Sequence, residues 1–190
     1  MTNDIVKPAL VLLVVAMVSG LCLSVVYAVT REPAAQRMAE TVAIAITRVF
    51  PEGGDIVASE GFEGDAEIFQ LQYIQRDGTT VGYAIGSRFM GFGGVISLLV
   101  GINTDGEITG MDVLQHSETP GFGGNLTQPW FTEQFIGKYG HLIYLPAGTE
   151  PEDTGSDEVV SLTSATSTTR AVLQAVNNAL TYFEQNLATN

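Results

Sequence analysis

Hydrophobic and polar positions along the chain follow three different periods. Residues 8–29, PALVLLVVAMVSGLCLSVVYAV, hold no charged side chain, and about 20 consecutive apolar residues are enough to span a bilayer as a helix. The run reads as a retained transmembrane anchor, because the apolar core of a cleaved secretory signal is shorter, usually about 7–15 residues. In residues 33–50, Met38, Val42, Ile46 and Val49 recur at helical spacing, and Pro51 with Gly53-Gly54 ends that helix. From residue 66 the period drops to two: Phe69, Leu71 and Tyr73 alternate against Gln70, Gln72 and Gln75, and Asp77-Gly78 turns the chain into 79–86. A second hairpin follows, with an almost unbroken apolar strand over 94–103, a turn at Asp105-Gly106 and a returning strand over 107–116.

Four antiparallel strands are therefore predicted. After them, QHSETPGFGGN (115–125) is a Gly/Pro loop, and 129–138 is a short helix whose Trp130, Phe131 and Phe135 give it an aromatic face. The acidic stretch 146–158 reads as an exposed loop of low order. In 167–187 the periodicity returns to helical, with Val172, Val176, Leu180, Phe183 and Leu187 on one stripe. The pattern predicts an α+β protein: an antiparallel sheet flanked by helices, with one N-terminal transmembrane helix. Residues 1–30 would be the N-terminal tail and anchor, and residues 31–190 one folded domain.

Charge narrows the choice of partners. With 8 Lys and Arg against 21 Asp and Glu, the net charge is -13, and such a field disfavours nucleic acids and anionic membrane surfaces. A single cysteine, Cys22, allows no internal disulfide and no cysteine-based metal cluster, and two histidines, His116 and His141, are too few for a His-rich metal site. Lys7 and Asp4 before the anchor nearly balance, Arg31 and Arg37 follow it, and so small a difference does not set the orientation of a long domain.

Candidate chemistry is confined to two loops. The first, Glu118-Thr119-Pro120-Gly121-Phe122-Gly123-Gly124, is neither a dinucleotide fingerprint nor a P-loop. Its glycines let backbone approach a flat or anionic ligand beside the Thr119 hydroxyl and the Glu118 carboxylate. The second is SLTSATSTT, residues 161–169, where seven of nine residues bear hydroxyls. One of these is enough to cap the helix that follows, whereas a phosphate at the same place would meet free N–H groups and the positive end of the helix dipole, with Arg170 one turn further on. His116 stands beside Glu118 without a Ser or Cys nucleophile pattern and is assigned no catalytic role.

Together these motifs resemble the FMN-binding G subunit of Rnf ion-translocating electron transport complexes, related to the C subunit of sodium-translocating NADH:quinone reductase. The likeness covers nearly the whole chain and is carried by Gly82, Tyr83, Gly101, Ile102, Asp105, Gly106, Ile108, Gly110, His116, Glu118, Thr119, Pro120, Gly121 and Gly123. In that family a flavin transferase reads a short Ser/Thr-Gly-Ala-Thr-Ser/Thr motif and attaches FMN by its phosphate to the threonine. Here Thr163, Ser164, Ala165, Thr166, Ser167 and Thr168 match it, with Ser164 where the family has glycine and Val160 where it has aspartate. The resemblance implies FMN joined by a phosphoester to Thr166, with Glu118, Thr119, Gly121, Gly123, Ser164, Ala165, Ser167 and Thr168 around it. It also implies a single-pass membrane protein with an extracytoplasmic domain, passing electrons among other subunits of a membrane complex rather than turning over a substrate alone. Two alternatives are a flavin-free anchored scaffold of such a complex and a reductase that binds FMN reversibly; neither would keep flavin after denaturation.

Overall fold

The three periods become one long helix, a five-stranded sheet and a C-terminal helix in the computed structural model, which describes residues 2–59, 61–149 and 154–188, without the side chains of 2–5 and 29–36. The chain separates into two compact units, Met1–Thr41 and Val42–Asn190. In the first, the stretch Val6–Ala28 of helix α1 (Thr2–Val49) has a mean hydropathy of 2.8 and is long and apolar enough to cross a membrane.

In the second unit, strands β1 (Asp55–Ala58), β2 (Ile68–Arg76), β3 (Thr79–Met90), β4 (Val95–Asn103) and β5 (Ile108–Gln115) form one antiparallel sheet in sequential order. Both expected turns are present, and at Asp77-Gly78 both residues have positive φ, as a two-residue hairpin of the favoured twist requires. Alternation along the strands gives the sheet two faces. On one, Tyr83, Ile85, Val100, Ile102 and Met111 pack into a single core with Val172, Val176, Leu180, Phe183 and Leu187 from α3 (Thr166–Asn186) and the residue after it. The helical stripe read from the sequence is the stripe that is buried.

The opposite face is lined where Gly82, Gly101 and Gly110 fall. Gly101 pairs with Gly110 across β4 and β5, and a Cβ on Gly110 would lie 2.8 Å from the Val49 Cα. A Cβ on Gly82 would meet the Phe50 ring at 2.7 Å. The missing side chains let the end of α1 come down onto the sheet. Val42, Ala45, Ile46, Val49 and Phe50 are buried there, and Ile74, Ala84 and Leu99, which share that face with the glycines, are inaccessible. Arg48 adds an ion pair to Asp112 at 3.0 Å on the surface of the same contact, which contributes little by itself.

Three elements escape the periodicity. β1 has only four residues, all exposed, and follows Gly53-Gly54. β6 (Ile143–Leu145) and β7 (Glu158–Val160) form a two-stranded parallel pair, so the acidic stretch 146–158 ends in regular structure, while its residues 150–153 lie outside the described part. Asn177 of α3 holds the residue just before β6: its side-chain amide accepts the Leu142 N–H at 2.8 Å and donates to the Leu142 carbonyl at 2.9 Å. The aromatic helix is also shorter than expected. α2 (Pro129–Thr132) gives way to a 3-10 turn over Glu133–Phe135. Phe131 and Phe135 are fully buried while Trp130 is exposed, so the three rings do not share one face.

Two outcomes follow from this packing. Gly110→Val should destabilise the full-length protein by about 1–3 kcal/mol, because the added atoms meet helix backbone that cannot move aside, and its thermal midpoint should fall; an unchanged midpoint would mean that the end of α1 is not seated on the glycines. Asp65 accepts the Glu67 and Ile68 N–H groups at 2.7 and 2.6 Å at the entry to β2. Those two backbone hydrogen bonds, Ile68 first, hold its carboxyl below the ordinary carboxylate range. A depressed folded pKa stabilises the protein above the unfolded value and is lost as pH falls through the folded one. Asp65→Ala should therefore lose stability at neutral pH and lose less of it on acidification than the wild type, as read by denaturant unfolding at a series of pH values.

Candidate functional site

The site is built where three segments converge at one end of the sheet. The first is the tip of the β3–β4 hairpin, Gly91-Phe92-Gly93-Gly94, closed by the Gly91 N–H on the Gly94 carbonyl at 2.8 Å. The second is the loop after β5. There His116 Nδ1 accepts the Glu118 N–H at 3.3 Å, and the Thr119 carbonyl accepts the Phe122 and Gly124 N–H groups at 3.2 and 2.9 Å, folding the chain back on itself. The third is the approach to α3. Between them lies a cleft of about 520 Å³ lined by Phe92, Glu118, Thr119, Phe122, Gly123 and residues 164–168, a size ordinary for a cofactor site.

Every site residue expected from the sequence lines this cleft except Gly121, which is one residue away with φ of 78° and open space around it. The tightest contact among them is made by Glu118, which is only 5% exposed. Its Oε1 accepts the Gly93 N–H at 2.9 Å and its Oε2 accepts the Thr168 hydroxyl at 2.5 Å. A Cβ on Gly123 would lie 2.5 Å from Thr168 Oγ1 and 2.6 Å from Glu118 Oε2, so a larger residue there would displace that pair.

The capping expected from the hydroxyl cluster is not what the structure uses. Ala165 occupies the N-cap position of α3, and no side chain caps the helix. The hydroxyls are spent elsewhere: Thr169 Oγ1 accepts the Leu162 N–H at 3.0 Å and lies 3.2 Å from Ser161 Oγ, Thr168 is held by Glu118, and Thr166 and Ser167 are exposed at the cleft. The Thr169 N–H reaches the Ala165 carbonyl, which leaves the N–H groups of Thr166, Ser167 and Thr168 as the unpartnered start of a helix. This end carries about half a positive charge from the helix dipole, so an anion fits it. Arg170 does not join it, contrary to the expectation. Its guanidinium donates to the Tyr144 hydroxyl at 3.1 Å and lies 5.9 Å from that ring, and this hydrogen bond raises its pKa above the ordinary arginine value.

Ser164 has φ of 59°, a left-handed conformation that glycine adopts without strain and other residues adopt at a cost. The glycine expected at this place in the motif therefore answers a backbone demand. Sequence reasoning missed Phe92 and Phe122, exposed by 78% and 53%, which present two rings to the same cleft. The signal was present, since Gly-Phe-Gly-Gly occurs twice, at 91–94 and 121–124. A cleft lined by two aromatic rings and by an uncapped helix N-terminus suits a planar ring system that carries a phosphate.

That is the class of protein the fold and the cleft define, and residues 91–181 match the model of the FMN-binding domain family. Relatives extend the match to almost the whole chain. It is 30% identical over 195 residues to the G subunit of the Na(+)-translocating ferredoxin:NAD(+) oxidoreductase complex of Acetobacterium woodii, covering 96% of this chain and 92% of that one. It is 28% identical over 186 residues to the G subunit of the ion-translocating oxidoreductase complex of Methanosarcina acetivorans, covering 95% of each. The chain belongs to the family of G subunits of Rnf-type ion-translocating oxidoreductase complexes. Solved structures share its fold: NqrC of Shewanella oneidensis, with a TM-score of 0.54 at 23% identity over 61% of this chain and 59% of that one, and the C subunit of the Na(+)-translocating NADH-quinone reductase of Parabacteroides distasonis, with a TM-score of 0.51 at 22% identity over 63% of each.

Replacing Ser164 by glycine should relieve the left-handed strain and raise stability by about 0.5–1 kcal/mol, net of the greater freedom glycine gives the unfolded chain. Chemical denaturation of the two proteins measures it, and a loss of stability would mean that the serine side chain holds the turn.

Proposed function

We propose that this protein is the flavin-carrying subunit of an Rnf-type membrane complex, with FMN attached covalently by a phosphoester to the Thr166 hydroxyl. One observation carries the reading: the exposed Thr166 hydroxyl stands on the first residue of α3, at an uncapped helix start that opens into an aromatic-walled cleft. A phosphate on that oxygen would be met by the N–H groups of the first turn and by the helix dipole. Ser164, with its positive φ, turns the chain just before Thr166 begins the helix. Phe92 and Phe122 would lie against the ring system and exclude water from it, and the backbone of the Glu118–Gly124 loop would face its edge. When bound, FMN supplies one- and two-electron redox chemistry. The chain itself contributes binding, orientation and electrostatics, and it acts as a carrier among the other subunits rather than as an enzyme alone.

Maturation then requires a flavin transferase, which would read residues 163–168. The domain arrangement proposed with it is a tail and anchor over residues 1–30 and an FMN-binding domain over 31–190, on the extracytoplasmic side. Permanent attachment supports that placement, because a flavin lost outside the cytoplasm would not be replaced.

Full-length protein co-expressed with a flavin transferase should gain the mass of FMN minus water, mapped by fragmentation to Thr166, and should fluoresce in a denaturing gel. Thr166→Val should lose both signals while remaining folded. Flavin retained by that variant after denaturation would refute the attachment point, and an unmodified wild type despite an active transferase would favour the flavin-free scaffold.

A further inference from the structure

Glu118 occupies an unusual place among the cleft residues, because its two oxygens are engaged by two different segments. The Gly93 N–H comes from the β3–β4 hairpin tip, next to Phe92, and the Thr168 hydroxyl comes from the first turn of α3, two residues after Thr166. Thr168 is 2% exposed and Glu118 is 5% exposed, so the contact is shielded from competition by water. A hydrogen bond to a carboxylate is stronger than one between neutral groups, and burial strengthens it further. Glu118's own backbone N–H is held by His116, which fixes the loop from which the carboxylate projects.

We infer that Glu118 and Thr168 are positioning residues. Together they tie the hairpin that carries Phe92 to the helix start that carries Thr166, and so set the separation between the aromatic wall and the phosphate end of the cleft. This rests on the flavoprotein reading above and deepens it: beyond lining the cleft, Glu118 acts on the flavin through Gly93 and Thr168. The two hydroxyls at 166 and 168 then have separate tasks, one as the attachment point and the other as the hook that holds the hairpin tip through Glu118. It also accounts for Gly123, whose missing Cβ leaves space for the Glu118–Thr168 contact.

Visible circular dichroism of the bound flavin tests the role, because this signal reports a fixed, asymmetric surrounding of the ring and does not follow global stability while the protein is folded. The full chain is co-expressed with a flavin transferase, and FMN loading is checked by intact mass. Thr168→Val removes the hydroxyl at nearly constant shape, and Glu118→Gln removes the charge while leaving one acceptor oxygen for two donors. With the signal taken per bound FMN, each should lose about half or more of it, since a network with one unmade hydrogen bond loses its fixed geometry. Thr168→Ser, which restores the hydroxyl, should recover it. A Thr168→Val or Glu118→Gln protein with the wild-type signal per bound FMN would overturn the positioning role alone. A wild-type chain that carries no FMN would overturn the flavoprotein reading and the positioning role with it.

Discussion

An uncapped helix start is the constraint on which the functional end of this molecule depends. α3 begins at Thr166 behind an alanine, so its first N–H groups meet no side-chain oxygen. Uncapped helix starts cost stability, typically about 1 kcal/mol against a Ser, Thr, Asn or Asp cap, and this one occurs in a segment with hydroxyls on every side. The hydroxyls that might have capped it are turned elsewhere, Thr169 toward Leu162 and Ser161, Thr168 toward Glu118. The helix is nevertheless held firmly, because Val172, Val176, Leu180 and Phe183 are buried against the sheet. Packing along one face of α3 stabilises a helix whose open end suits an anion.

Most of the sheet could be read from the sequence, because alternation, two Asp-Gly turns and one helical stripe are local signals that tertiary packing did not override. The parts that were not legible depend on distance. β6 and β7 are three residues each, and their backbone is held by side chains distant in sequence: Asn177, 35 positions from Leu142, brackets Leu142 just before β6, and Gln134, 26 positions from Val160, accepts the Val160 N–H of β7. The aromatic stretch 129–138 resembles one helix because its rings fall at helical spacing, yet its end turns away to lie along the open edge of β5. There the Gly137 N–H donates to the Ile108 carbonyl and the Ile108 N–H to the Lys138 carbonyl, both at 2.8 Å.

The site was legible in a different sense. Resemblance located the two loops, and the fold brought them to one cleft, but the task of each hydroxyl could not be seen in the motif. Glu118 and Thr168 are 50 residues apart in the chain and meet because the loop after β5 lies against the first turn of α3. Ser164 is, in the motif, a simple departure from glycine, and its positive φ supplies the physical reason that glycine is favoured there. Phe92 stands at a hairpin tip, where strand alternation ends and only the repeated Gly-Phe-Gly-Gly marks it.

Electrostatics explains why such a site would use a covalent bond. The chain carries a net charge of -13, a field that repels an anionic phosphate. The described cations of the second unit are engaged away from the cleft: Arg48 with Asp112, Arg76 with Glu52, Arg88 on the carbonyls of Asp65 and Ala66, Lys138 on that of Gly155 and Arg170 on Tyr144. Among the described residues no Lys or Arg lines the cleft, and Glu118 adds a carboxylate to it. What remains to hold a phosphate is backbone N–H groups and a helix dipole, contributions of about 0.3–1 kcal/mol in exposed settings. Reversible binding on those terms would be weak, and a cofactor lost from an anchored domain would diffuse away. The proposed phosphoester to Thr166 would remove the dependence on affinity altogether, and would leave the helix end to orient the phosphate and the two aromatic loops to hold the ring.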